Sequence, residues 1–154
     1  MKVYNVGLIG YGKMGKKYVK EINNNKNYRI VDVLKYKNIS KNPKTINNFF
    51  KSNKIDLIII SSPINTHFKY LKYAYRFNKN IIIEKPIVEN YYEFKKLLQI
   101  NKNYKKKVMI HHNDILNIKK SNLINKFSNQ KQIKKIEMLY GKKELSNSYK
   151  KPFF

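Results

Sequence analysis

From Val3 to Ile9 most positions are apolar, and the run leads into Gly10, a pattern that predicts a strand. Met14, Tyr18, Val19 and Ile22 then recur at the spacing of one helix face, and Asn23-Asn24-Asn25 closes that helix. Tyr28 to Leu34 is β-branched and apolar enough for a second strand. Asn38 to Asn53 is polar, with a short helix predicted around Ile46 to Phe50. The stretch Asp56 to Ser62 is apolar at its centre without alternation, as in a strand whose two faces are both covered, and Pro63 stops it. A helix follows from about Thr66 to Phe77, with Phe68, Leu71 and Tyr75 on one side. Ile81-Ile82-Ile83 is the next strand, ended by Glu84-Lys85-Pro86. Asn90 and Glu93 have the spacing of a capping box, opening a helix with Phe94, Leu97 and Leu98 as its inner stripe. Val108 to Ile110 predicts a strand, Ile115 to Phe127 a helix, and Ile133 to Tyr140 one more strand. Strands alternating with helices imply βαβ units and a doubly wound parallel α/β sheet.

Composition narrows the class. The 154 residues suit one compact domain, or one domain with a fragment of a second. Absence of Cys excludes a disulfide framework, a thiolate metal site and a Cys nucleophile. No apolar run approaches the roughly 18 residues of a membrane span, and the N-terminus has no secretory pattern, so a cytoplasmic protein is expected. The formal charge is +25, from 34 Lys plus Arg against 9 Asp plus Glu. Such an excess first suggests a polyanion. Only Arg29 and Arg76 are arginine, however, and the lysines are spread along the chain. Lys, Asn, Ile, Tyr and Phe are all residues of A/T-rich codons, which accounts for much of the excess. Nucleic-acid recognition draws on Arg forks that are nearly absent here, so the composition argues against it.

The most informative segment is Gly10-Tyr11-Gly12-Lys13-Met14-Gly15, because this GxGxxG lies between a predicted strand and a predicted helix. In that context Gly10 permits the tight turn, Gly12 lets backbone approach a pyrophosphate, and Gly15 lets helix and strand pack closely. The helix start offers free N–H groups and the positive end of its dipole. An NAD site also wants an acidic residue about 20 positions further on. Counting from Gly15 reaches Lys35, followed by Tyr36 and Lys37, and a cation there slightly favours the 2′-phosphate of NADP over NAD. Asp32 takes that place only if the strand ends earlier than Leu34.

Three motifs taken together carry a family likeness. Gly10 to Gly15, then Ser62-Pro63-Ile64-Asn65-Thr66-His67, then Glu84-Lys85-Pro86 resemble, in order and spacing, the glucose–fructose oxidoreductase / inositol dehydrogenase (Gfo/Idh/MocA) family. Met109-Ile110-His111-His112-Asn113 loosely resembles that family's sixth strand. The resemblance implies a Rossmann domain over residues 1–130 that binds NAD or NADP, with 131–154 opening a second α/β domain. It further implies that Ser61, Ser62 and Pro63 line the nicotinamide-ribose side, and that Asn65 and His67 contact the cofactor. By the same carry-over Glu84 contacts the ribose, Lys85 reaches the nicotinamide and the substrate hydroxyl as the catalytic residue, and the bond before Pro86 is cis. Without the family, a lysine at a strand's C-terminal end still lies where open α/β sheets bind ligands.

The departures also set expectations. The family's usual base, a His in an Asp-x-x-x-His motif of the second domain, has no counterpart, since histidine occurs only at His67, His111 and His112. Adjacent His111 and His112 point to opposite faces of a strand and do not suggest a metal. The expected function is therefore the cofactor half of an oxidoreductase moving a hydride between nicotinamide and a sugar or polyol, incomplete as an enzyme. The alternative is a non-catalytic nucleotide-binding module, or one completed by a homo-oligomer or a separate second-domain chain.

Overall fold

The computed structural model describes residues 2–35 and 44–112. The predicted helix Ile115–Phe127, the strand Ile133–Tyr140, the boundary at 130/131 and residues Tyr36, Lys37 and Asn113 lie outside the described residues. The elements are β1 (Tyr4–Ile9), α1 (Lys13–Asn23), β2 (Tyr28–Leu34), α2 (Lys44–Lys51), β3 (Leu57–Ile60), a 3-10 turn (Ile64–Thr66), α3 (His67–Arg76), β4 (Asn80–Glu84), α4 (Tyr91–Asn101) and β5 (Val108–His111). Among the described residues, no helix is long and apolar enough to cross a membrane.

All strand pairings are parallel, in the order β2-β1-β3-β4-β5. β3 shows why. Ile58, Ile59 and Ile60 are all buried, so neither face meets water. Ile58 and Ile60 join the larger cluster with Phe50, Tyr70, Leu71 and Ala74, from the side of α2 and α3. Ile59 and Leu57 pack with Val6, Leu8 and the α1 stripe Tyr18, Val19 and Ile22. Each such buried isoleucine is worth about 2 kcal/mol relative to exposure. Strand β3 is shorter than the predicted Asp56–Ser62, although Asp56 N and Ser61 N still donate to the β1 carbonyls of Asn5 and Ile9, and side chains tie both ends down further. At the start Asn5 N donates to Asp56 Oδ2, and at the finish Ser61 Oγ donates to the Gly10 carbonyl.

The helix ends follow local chemistry. Asn24 is the C-cap of α1, within the predicted Asn run. Asn90 Oδ1 accepts from Glu93 N at 3.0 Å, the forward half of the predicted capping box. The return bond reaches one residue further than expected, Glu93 Oε2 accepting from Glu89 N at 3.1 Å. The inner stripe predicted for α4 needs correcting. Leu97 is its buried residue, whereas Phe94 is 40% and Leu98 50% exposed. Among the described elements α4 packs chiefly on α3, so only part of its apolar stripe is covered.

Candidate functional site

The chain leaves β1 for β2 on one side and returns to β3 on the other, so the strand order reverses between β1 and β3. Open α/β sheets bind ligands at this reversal, outside the C-terminal strand ends. The registers align those ends: Ile9 pairs with Leu34 and with Ile60, Ile60 with Ile83, and Glu84 with His111. Lys35, Gly10, Ser61, Glu84 and His111 therefore follow one line across the sheet. Beside its β1 and β3 part opens a cleft of about 800 Å³, lined among others by Gly10 to Met14, Lys35, Ser61 to Pro63, Asn65 and Thr66.

The glycine loop is built largely by what it omits. Gly10 has φ +90°, and a Cβ there would stand 2.7 Å from the Ser61 carbonyl oxygen. Its N–H donates to Leu34 O at 3.1 Å, which ties the loop to β2. A Cβ on Gly15 would collide with the Gly10 carbonyl. Gly12 differs, because a Cβ there would meet no atom of the described residues within 4 Å. Packing among the described residues thus gives no reason for glycine at 12; open space over the loop does. Gly12 is also the N-cap of α1 and makes no side-chain cap bond, and the first turn contains no acidic residue. That leaves helix N–H groups and a positive dipole end facing the cleft, with Lys13 and Lys35 on its walls and no carboxylate lining it among the described residues. These features fit a pyrophosphate, an anion that takes backbone donors and needs close approach.

The wall opposite is held by its own bonds. Ser61 Oγ donates to Ile9 O and Gly10 O at 3.2 and 3.0 Å, locking the β3 end to the glycine loop. Thr66 Oγ1 donates to Pro63 O at 2.6 Å, so the 2.7 Å contact between the Ser62 and Thr66 hydroxyls has Ser62 as donor. His67 is buried at 1% exposure, with Nε2 2.8 Å from Ser62 O and Nδ1 2.9 Å from Pro86 O. It spans the turns after β3 and β4 from behind the cleft.

Beyond this wall, the end of β4 is organised by side chains. Tyr18 O–H donates to Glu84 Oε1 at 2.6 Å, and His111 Nδ1 lies 2.6 Å from Tyr18 Oη and 2.7 Å from Glu84 Oε1. Burial opposes charge on Glu84, but the bonds from His111 and Tyr18 outweigh it and hold the carboxyl below its usual range. Burial, then the hydrogen bond to Glu84, pushes the Tyr18 phenol far above its ordinary value. Tyr18 therefore remains a donor and Glu84 an acceptor. The peptide between Lys85 and Pro86 is cis, as the resemblance implied, and Lys85 is exposed.

The structure brings Gly10, Tyr11, Gly12, Lys13, Met14, Lys35, Ser61, Ser62, Pro63 and Asn65 together around one cleft. Gly15 packs behind it, while Glu84, Lys85 and Pro86 continue the line of strand ends. Strand β2 does end at Leu34, so Lys35 rather than Asp32 faces the cleft; Asp32 lies within the strand opposite Gly7. Lys35 Nζ stands 4.7 Å from the centre of the Tyr11 ring. Thr66, Tyr18 and His111 were not singled out from the sequence. Thr66 lies inside the Ser62–His67 motif, whereas the sequence pattern places Tyr18 on the apolar face of a helix and His111 in a pair that suggests no metal.

A family model described as "Oxidoreductase family, NAD-binding Rossmann fold" matches residues 4–112. No curated protein matches. Among solved structures, the chain is similar to a biliverdin reductase from Synechocystis, in complex with biliverdin and NADP+, at 20% identity and a TM-score of 0.64, over 79% of this chain and 42% of that one. It is also similar to a putative myo-inositol dehydrogenase from Sinorhizobium meliloti, at 23% identity and a TM-score of 0.66, over 80% of this chain and 42% of that one. An apo scyllo-inositol dehydrogenase from Lactobacillus casei gives 16% identity and a TM-score of 0.64, over 80% and 42%. The chain thus spans less than half the length of each of these structures.

Proposed function

The chain belongs to the Gfo/Idh/MocA oxidoreductase family with an NAD-binding Rossmann fold, and from that premise we propose that it works on a sugar or polyol hydroxyl, with NADP preferred to NAD. The observation that carries the cofactor part is the vacant space over Gly12 at an uncapped, carboxylate-free helix start. The loop N–H groups and Lys13 hold the pyrophosphate. Ser61, Ser62, Pro63 and Asn65 border the nicotinamide half, and Ser61 acts by fixing the loop. The nicotinamide, when bound, accepts or gives the hydride. The protein has to place the reacting carbon against it, exclude water and handle the hydroxyl proton. Lys85, on the exposed turn after β4, polarises that hydroxyl.

The NADP preference rests on Lys35. It occupies the position where an acidic side chain would bind a ribose 2′-hydroxyl, and the Tyr11 ring steadies it. A cation there pairs with a 2′-phosphate instead. Fluorescence titration of the full chain with NADPH and NADH tests this, and NADPH is expected to bind the more tightly. Lys35→Glu is expected to reverse the order. Equal affinities in the wild-type chain, unchanged by Lys35→Glu, would remove the preference while leaving dinucleotide binding in place.

A further inference from the structure

Outside the glycine cleft, the fold joins Glu84 of the Glu84-Lys85-Pro86 motif to Tyr18 and His111, two residues that the sequence does not connect with it. Three polar atoms, Tyr18 Oη, Glu84 Oε1 and His111 Nδ1, lie within 2.6–2.7 Å of one another. A phenol that keeps its proton and a carboxylate that has lost its own leave one consistent arrangement of hydrogens. Glu84 Oε1 accepts from the phenol O–H and from the imidazole N–H at Nδ1. A neutral imidazole carries one proton, so its other nitrogen, Nε2, is then a bare lone pair. Among the described residues Nε2 has no hydrogen-bond partner, and the His111 side chain keeps 18% exposure, so the ring is reachable. A histidine oriented through one nitrogen by a carboxylate, with the other nitrogen free, is the arrangement of a general base.

Its place in the fold suits that task. His111 ends β5 directly opposite Glu84, and Lys85 follows Glu84 in the chain. The β5 end lies two strand spacings, roughly 10 Å, from that of β3.

We propose that His111 is the proton-accepting catalytic residue of this chain, with Glu84 and Tyr18 as its positioning residues. The assignment rests on the oxidoreductase reading above. In the oxidising direction the substrate carbinol becomes a carbonyl. Its C–H hydrogen leaves with both bonding electrons to the nicotinamide, and its O–H proton passes to His111 Nε2. The alcohol is oxidised, the dinucleotide is reduced, and the imidazole becomes an imidazolium facing the Glu84 carboxylate.

Two measurements on the full chain test this. In long-range 1H–15N spectra at a pH where the ring is neutral, wild-type His111 is expected to have its proton on Nδ1. Tyr18→Phe and, more strongly, Glu84→Ala are expected to move it toward Nε2. A merely structural cluster would not require that tautomer, and a wild-type proton on Nε2 overturns the proposal. The second measurement is the rate of diethyl pyrocarbonate modification at His111, read by mass spectrometry. NADPH or NADH is expected to slow it at least fivefold, whereas adenosine 2′,5′-bisphosphate, which lacks the nicotinamide half, leaves it unchanged. If calorimetry registers dinucleotide binding but His111 reacts at its free rate, the assignment falls and the cofactor reading stands. If no dinucleotide binds, both fall.

Discussion

The two ends of the strand-end line are built by opposite means. At β1 and β3 the site is made of backbone, with its room provided by side chains that are missing: Gly10 turns at φ +90°, Gly15 admits the Gly10 carbonyl, and Gly12 leaves open space. At β4 and β5 it is made of side chains, where Tyr18, Glu84 and His111 share three short contacts. The glycine loop is local in sequence, and Gly10 and Gly15 in it leave no room for a side chain. The second end joins residues 66, 93 and 27 positions apart, and each atom there can be removed without a steric clash. A glycine site is therefore fragile in shape, and a side-chain cluster fragile in charge.

The largest effect that would sharpen this contrast is Gly15→Val. A Cβ there overlaps the Gly10 carbonyl, so the loop or α1 must shift. A loss of about 3 kcal/mol or more is expected in chemical denaturation, near the upper range for overpacking. A loss below about 1 kcal/mol would mean that the close packing is not required.

Gly12→Asp separates shape from ligand. Nothing within 4 Å opposes the side chain, and Asp is a good N-cap, so stability is expected to rise by a few tenths of a kcal/mol. Dinucleotide affinity is expected to fall at least tenfold, about 1.4 kcal/mol, because a carboxylate then meets the pyrophosphate. Calorimetric titration together with denaturant unfolding checks both signs. A parallel loss of stability and binding would show that Gly12 serves the fold instead.

That contrast also explains what could be read from the sequence. The Gly10–Gly15 loop, the all-apolar Leu57–Ile60 strand and the end of β2 at Leu34 depend on near neighbours, and pattern alone places them. Lys35 could be found by counting, even though Val31 is an extra residue in the register of β2 with β1. Tyr18 satisfies the helical stripe just as a core residue does, and its hydroxyl role appears only once Glu84 and His111 arrive from other strands. The same limit applies to α4, where periodicity gives a stripe but not how much of it finds a surface to cover. His67 shows it at a single residue: the motif marks it as important, and the fold turns both of its nitrogens to carbonyl groups of the chain.

A smaller effect probes the charge-built end. The Glu84 carboxyl is held below its ordinary range in the folded chain, so its contribution to stability is present above the unfolded pKa and is lost as pH falls through the folded one. In the wild-type chain stability is expected to decline as the pH drops below the usual carboxylate range. Tyr18→Phe removes one of the bonds that lower that pKa, and is expected to make the acid-side decline shallower. Denaturation midpoints measured across acidic pH for both chains check the sign, and a steeper decline in Tyr18→Phe would contradict it.

The smallest effect expected is at Lys85. Lys85→Gln removes an exposed charge, and stability should stay within about 0.5 kcal/mol of wild type. A larger change would assign Lys85 to the fold rather than to chemistry.

The central claim is dinucleotide binding at the glycine loop, and calorimetric titration of the full chain with NADPH tests it most directly. Saturable binding with one site per chain, weakened at least tenfold in Gly12→Asp, is the predicted result. No heat of binding at millimolar NADPH or NADH, or binding that Gly12→Asp leaves intact, would contradict it.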